Sequence, residues 1–143
     1  VNLSQVIHTR WAADVTLNGL LAASTKVVTG RHFAEDPGTS WAWIEMLGGP
    51  YETRMNSEIA VAAVTVRFTV HYAVDGADNH TSCNTACNAI HDVFDNEDFA
   101  LANSDQVLCM RANGIPVEMQ DEETGEWEFT VEYTCRVRLA VGR

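Results

Sequence analysis

From Glu126 to Val141 the chain alternates without a break. Trp127, Phe129, Val131, Tyr133, Cys135, Val137, Leu139 and Val141 are apolar, and the residues between them are polar apart from Ala140. Period two sends successive side chains to opposite faces of a strand, so one face is buried and the other meets water or a partner. At about 3.3 Å per residue the run would be roughly 50 Å long. A compact chain of this length is only about 37 Å across, from a radius of gyration of roughly 14–15 Å. A strand with that reach must curve, carry a bulge, or have its far end covered by another subunit.

A second alternating run precedes it. Val64, Val66, Phe68, Val70, Tyr72 and Val74 point one way, and Thr65, Arg67, Thr69 and His71 the other, with a start as early as Ile59. Trp41–Leu47 predicts a shorter strand, stopped by Gly48-Gly49-Pro50. Tyr51–Glu58 is polar and predicts a long exposed hairpin loop. Three- and four-residue spacing of Leu3, Val6, Ile7, Trp11, Val15, Leu17, Leu20 and Leu21 predicts one helix over 3–23, capped by Asn2 or Ser4. A second helix is expected over 78–95, capped by Asp78 or Thr81, with Cys83, Ala86, Cys87, Ile90, Val93 and Phe94 as its apolar stripe. Asn96-Glu97-Asp98 ends it, and Phe99 and Leu101 anchor a return loop. Gln106–Arg111 and Ile115–Met119 predict strands around Asn113-Gly114, a dipeptide that favours a two-residue hairpin, with Pro116 limiting the pairing just after it. Asp121-Glu122-Glu123-Thr124-Gly125 is the next turn. The order of helix, strands, helix, strands predicts an α+β fold, a mainly antiparallel sheet with long strands and two helices packed on one face. With no repeat or linker in view, residues 1–143 are expected to form one domain.

Charge narrows the function classes. The 143 residues hold 20 acidic and 9 basic side chains, a net charge of −11, with Lys26 the single lysine. Gripping DNA through its phosphates needs clustered Lys and Arg. Here the basic residues are scattered, except Arg136, Arg138 and Arg143 near the C-terminus. No stretch approaches the ~18–20 apolar residues of a membrane span, and no secretory-signal pattern opens the sequence. Four cysteines, Cys83, Cys87, Cys109 and Cys135, favour free thiols of a cytoplasmic product. A Cys109–Cys135 disulfide is the alternative.

Candidate chemistry is sparse. His80, Cys83, Cys87 and His91 lie near one side of the second helix and each could ligate zinc. One straight helix offers a metal only a pair at i and i+4, so Cys83 and Cys87 read as small core residues, with the histidines at the solvent border. Glu122, Glu123, Glu126, Glu128 and Glu132 read as a solvated acidic face rather than an acid–base pair. The same strand turns basic at Arg136 and Arg138. A strand acidic at one end and basic at the other suits head-to-tail contact between identical subunits, which makes Glu126, Glu128, Glu132, Arg136 and Arg138 candidate subunit-interface residues. His8, His32 and His71 lack a nucleophile partner at motif spacing. Gly48-Gly49-Pro50 is no phosphate loop. Trp41 and Trp43 share one face and read as sheet packing rather than a base-stacking platform. No catalytic residue, cofactor or metal is expected.

Several segments together resemble the tail-terminator and tail-completion proteins of long-tailed bacteriophages. They are an N-terminal helix ending Leu20-Leu21-Ala22-Ala23-Ser24, a short Val27-Val28-Thr29-Gly30-Arg31 piece, the Trp41–Leu47 strand, a variable polar loop and the long Val61–Val74 strand. The 78–95 helix and the closing strand that opens with Gly125-Glu126-Trp127-Glu128-Phe129 complete them. The resemblance covers residues 10 to 143 in element order; the four cysteines and Asn84–Asn88 lie outside it. It implies a non-enzymatic virion subunit, assembled in the host cytoplasm as a homo-hexameric ring at the head–tail junction. Such a ring caps the tail tube protein, stops its polymerisation, faces a head-side connector or stopper protein, and lets DNA pass without specific binding. The polar loop of Tyr51, Glu52, Thr53, Arg54, Met55, Asn56, Ser57 and Glu58 is the expected contact with tube or connector. The alternatives are a head-completion protein of the same virion and, in another class, a cone-shaped small-ligand-binding or enzymatic domain with His71, Tyr72 or Trp43 facing a pocket.

Overall fold

The computed structural model describes residues 3–48, 51–54, 59–100 and 105–140. Its centre is a two-stranded antiparallel ribbon, β4 (Ile59–Tyr72) against β8 (Trp127–Ala140). The register runs unshifted from Ile59↔Ala140 to Tyr72↔Trp127. Both alternating runs are therefore strands, and they are each other's partner.

Each side of the ribbon is flanked by an outer strand that is interrupted once. Beside β4 run β2 (Ser40–Leu47) and then β3 (Tyr51–Arg54), both antiparallel to it. Beside β8 run β6 (Gln106–Ala112) and then β7 (Val117–Gln120), again both antiparallel. The short strand β1 (Val27–Thr29) lies parallel to β2, and β5 (Glu97–Ala100) lies antiparallel to β6. The described residues thus form one eight-stranded, mainly antiparallel sheet.

Three helices among the described residues cover one face of it. They are α1 (Leu3–Ala13), α2 (Val15–Leu20) and α3 (Asn79–Phe94). Leu3, Ile7, Trp11 and Leu17 from the first two, and Cys83, Ala86, Ile90 and Phe94 from the third, share one core with Val66, Phe68, Val70, Phe129, Tyr133 and Cys135 of the ribbon. Phe68 is its hub, with ring centroids 5.1 Å from Phe94, 5.6 Å from Tyr133 and 6.2 Å from Trp11. Fully burying side chains of this size contributes about 1.5–3 kcal/mol each.

Four sequence expectations are corrected. The helix expected over 3–23 is broken at Asp14, whose side chain accepts a hydrogen bond from Leu17 N at 2.9 Å and caps α2. An Asp there satisfies an orphan donor of a new helix better than it serves the interior of an old one. The chain is then turned back so that Trp11 Nε1 donates to Leu21 O at 2.9 Å. Ser4 lies inside α1 rather than capping it, and Asn2 falls outside the described residues. Asn113-Gly114 does not close a hairpin: β6 and β7 never pair with each other, and both pair with β8. The four residues between them form a kink, anchored by Asn113 N donating to Glu132 O at 2.8 Å and by Thr134 Oγ1 donating to Asn113 Oδ1 at 2.6 Å. Pro116, with no N–H to donate, fits such an interruption. The segment expected to be a return loop contains β5, entered through Asn96 at φ 59°.

The far end of the ribbon is partly covered within the subunit. Its two strands carry no bulge against each other; the register shifts sit in outer strands, between Tyr51 and Thr53, between Val107 and Cys109 and between Glu97 and Phe99. At the far end the helix side stays largely covered, with Val137 at 1% and Ala62 at 4% exposure, beside an apolar groove of about 240 Å³ between Leu3, Met46, Val64 and Leu139.

Candidate functional site

The sheet face opposite the helices is the side the sequence leaves polar. Because β2, β4, β8 and β7 pair in register, their open-face residues fall into rows. Trp41 stands opposite His71, and His71 opposite Glu128; Trp43 stands opposite Thr69, and Thr69 opposite Thr130. Glu45, Arg67 and Glu132 make a third row, and Val117 and Met119 extend the first two onto β7.

These rows interlock. Trp41 stacks on His71 at 4.4 Å with planes 5° apart, and lies 4.3 Å from Trp43. Arg31 covers Trp43 with its guanidinium 4.7 Å from the ring and is held there by Glu45 at 3.1 Å. Arg67 donates to Glu132 at 3.0 Å, and Thr69 and Thr130 share a hydroxyl–hydroxyl hydrogen bond at 3.3 Å. Thr69 is only 4% exposed although no helix lies on this side. Trp43 Nε1 is buried without a hydrogen-bond partner among the described residues.

The surface is concave. Two adjoining depressions of about 520 and 390 Å³ share Trp43, Met119 and Glu128 as common wall. The first reaches Arg67 and the Asn113-Gly114 kink; the second runs past His71 to Asp121 and Glu126. His71 Nε2 lies 3.6 Å from Glu126. Glu128 makes no ion pair among the described residues. The outer rim is apolar: Ile115 is 92% exposed, and Val117 and Met119 are each 61% exposed. Strand β7, exposed at all four positions, has β8 on one side and no strand on the other among the described residues.

Charge is separated along this trough. Between Val117 and Glu128 the sequence has six carboxylates and no Lys or Arg. At the other end of the same face Arg111 and Arg136 flank a depression of about 460 Å³ with Cys109 and Thr134, and Arg138 follows on β8. Of the candidate interface residues, Glu126 and Glu128 line the acidic depression, Arg136 lines the basic one, and Glu132 is engaged internally by Arg67.

The expected loop of Tyr51–Glu58 is not all loop. Tyr51, Glu52, Thr53 and Arg54 form β3, paired with β4 by Arg54↔Ala60. Met55, Asn56, Ser57 and Glu58 lie outside the described residues. The paired strands β3–β4 and the turn of 121–126 therefore stand at opposite ends of the ribbon.

The histidines and cysteines of α3 do not converge. Cys83 and Cys87 are buried in the core, His80 turns to Glu118 of β7 at 2.6 Å, and His91 to Asp95 at 3.4 Å. No group of three or more metal-ligating side chains occurs among the described residues. Burial pushes the thiols of Cys83, Cys87 and Cys135 up to about 12, far from the range of a working nucleophile. Cys109 and Cys135 are not a disulfide: Cys135 faces the helices, while Cys109 stands opposite Arg136 on the open face. Tyr72, one candidate for a pocket residue, faces the core at 7% exposure. What sequence reasoning missed is the trough itself, because it depends on which strands lie side by side.

No protein-family profile and no curated protein matches the chain. Among solved structures, the fold is similar to that of a chain in the virion of a native gene transfer agent (GTA) particle, at a TM-score of 0.68 and 15% sequence identity. The match covers 92% of this chain and 91% of that one.

Proposed function

We propose that this chain is a structural, non-catalytic virion subunit that closes a bacteriophage-type tail. Copies assemble as a homo-hexameric ring on the finished tail tube, stop its polymerisation and offer a surface to the head-side connector, while DNA passes through the centre. The observation that carries this reading is the fold shared with a virion chain over more than nine-tenths of both. Two features support it. The ribbon ends in hairpins at opposite ends, as suits a subunit with a different partner above and below. The net charge of −11 disfavours adhesion of passing DNA.

The β3–β4 tip, residues 51–58, is assigned to the tube or connector, and the charged open face to neighbouring subunits. Native mass spectrometry and electron microscopy of the purified protein test the ring: hexamers, alone or on tail tubes, are expected. Deleting Thr53–Ser57 should leave the ring and abolish capping of tubes. A strictly monomeric protein that leaves tubes growing would end the reading. Binding to a connector but not to a tube would move the ring to the head side of the same junction.

A second reading rests on the trough, where Trp43 and His71 line one wall with Glu126 and Glu128 opposite. A small-ligand domain of this shape would be monomeric or dimeric and would bind a cationic ligand without any tube.

A further inference from the structure

Strand β7 leaves one edge of the sheet open. It pairs with β8 on one side, and no strand among the described residues meets it on the other. Its turn fixes which backbone groups are free. Asp121 N donates to Glu126 O at 2.9 Å. Hydrogen-bonded pairs alternate along an antiparallel ladder, so Met119↔Glu128 and Val117↔Thr130 are the next bonded pairs. The N–H and C=O of Glu118 and Gln120 therefore point away from β8, to the unpaired side. Natural edges are usually blunted by Lys or Pro; the four residues of β7 include neither, and all four are exposed. The one charged side chain among them, Glu118, is turned to His80 of α3 at 2.6 Å. On the open face the edge is apolar, with Val117 and Met119 each 61% exposed and Ile115 beside them at 92%.

We propose that the β7 edge takes an added strand from a different, basic protein: an extended segment with Arg or Lys at alternate positions. Charge selects this guest. Between Val117 and Glu128 the sequence has six carboxylates and no Lys or Arg. Met119, Glu128, His71 and Trp41 form one cross-strand row. An added strand extends that row, placing one of its residues beside Met119 and about 10 Å from Glu128, two strand spacings away. An arginine there lays its aliphatic stem over the exposed Met119 and its guanidinium towards Glu128, which lines both depressions of the trough. Two outward residues offer the guest few backbone bonds, so its basic side chains supply most of the grip and the contact is sensitive to salt. A second copy is a poorer guest. Its net charge is −11, and Arg67, Arg111 and Arg138 lie on β4, β6 and β8, each with a strand on either side. The guest runs along the margin of the sheet, beside the face assigned to neighbouring subunits, and its binding does not depend on the copy number.

A synthetic peptide tests this. The probe is acetyl-Thr-Arg-Val-Arg-Val-Arg-Thr-amide, labelled for fluorescence anisotropy and titrated with the whole chain over a salt series. One control replaces every Arg by Glu. Two others methylate alternate backbone nitrogens, one in each register, which removes the donors on one edge of the peptide and leaves its charge alone. The basic peptide should bind and weaken as salt rises, the Glu peptide should not bind, and only one of the two methylated peptides should bind. Hydrogen exchange read at single residues should slow at the Glu118 and Gln120 amides and stay unchanged at Val117 and Met119. Glu128→Lys should weaken binding by on the order of tenfold at low salt. Gln120→Pro removes one outward N–H without touching the bonds to β8 and should also weaken it, with circular dichroism and a thermal melt following the folding of both variants. One blocked register together with two protected amides supports the added strand. Binding that ignores methylation and protects neither amide is charge alone and overturns it. Equal binding of the Glu peptide, full affinity in folded Glu128→Lys, or no binding at low salt overturns it too. Protection of the same amides that grows with protein concentration in the absence of peptide makes a second copy the guest and overturns the basic partner.

Discussion

On the helix side of the ribbon Phe68 stands opposite Val131 and is fully buried. One residue earlier, on the other side, Arg67 stands opposite Glu132 with both side chains about a third exposed. The two faces come from the same alternation but do different work. The helix side is a closed apolar core of Phe, Tyr, Val and Cys. The open side is ordered by stacking, paired threonines and ion pairs, and keeps its apolar rim exposed. Stability is concentrated on the first, and the proposed recognition role falls to the second. A sheet with one covered face is ordinary in antiparallel architecture; what is specific here is an uncovered face concave enough to hold a partner's side chains.

That division can be broken most forcefully at Phe68. Phe68→Ala should cost about 3–5 kcal/mol, because three aromatic neighbours cannot collapse into the space; urea denaturation reads it, and a loss under about 1 kcal/mol would contradict the packing. Alkali should act on the same side. Thiols held near 12 in the folded chain and near 9 when unfolded lose protons first in the unfolded state. Their contribution is intact below pH 9 and falls as pH rises from 9 towards 12. At pH 10 the loss is roughly 1 kcal/mol for each of Cys83, Cys87 and Cys135, and C83A/C87A should flatten the slope measured between pH 8 and 10.5. Trp11→Phe keeps most of the ring but leaves the Leu21 carbonyl without its donor, an expected cost of about 1–3 kcal/mol, seen as a lower melting temperature. The smallest effect belongs to the open side. Arg67→Ala should change stability by no more than about 1 kcal/mol, less in high salt. If Arg67→Ala rivalled Phe68→Ala, the two faces would not be divided as described.

Much of the fold was legible in the residues. Unbroken alternation marked β4 and β8 and their buried faces, since period two has no competing explanation over such lengths. The stripe of Cys83, Ala86, Cys87, Ile90 and Phe94 marked α3, and Asp78 caps it as expected, accepting from Thr81 N. Local signals misled where tertiary pairing decided the outcome. Asn113-Gly114 favours a tight turn on its own, yet β8 is long enough to pair with strands on both sides of it, and it became a kink. Asp14 looked like one polar residue on an amphipathic helix until its capping bond divided that helix. Tyr51–Arg54 has little strand character, and pairs because β4 extends beyond β2 and offers it a free edge. The trough was legible only as fragments: Trp41 and Trp43 on one face, the carboxylates of β8, the basic end. Nothing in the sequence says that β7 lies beside Glu128 while β2 lies two strands away.

On β6 the sulfur of Met110 is buried in the core while that of its neighbour Cys109 is turned to the other face. Three of the four cysteines are sealed under the helices, and Cys109 alone looks out beside Arg111 and Arg136. A fluorophore attached at that single outward sulfur would sit where another copy is expected to arrive. Dimming of the dye by that copy's tryptophans could time the growth of the assembly without rebuilding the protein.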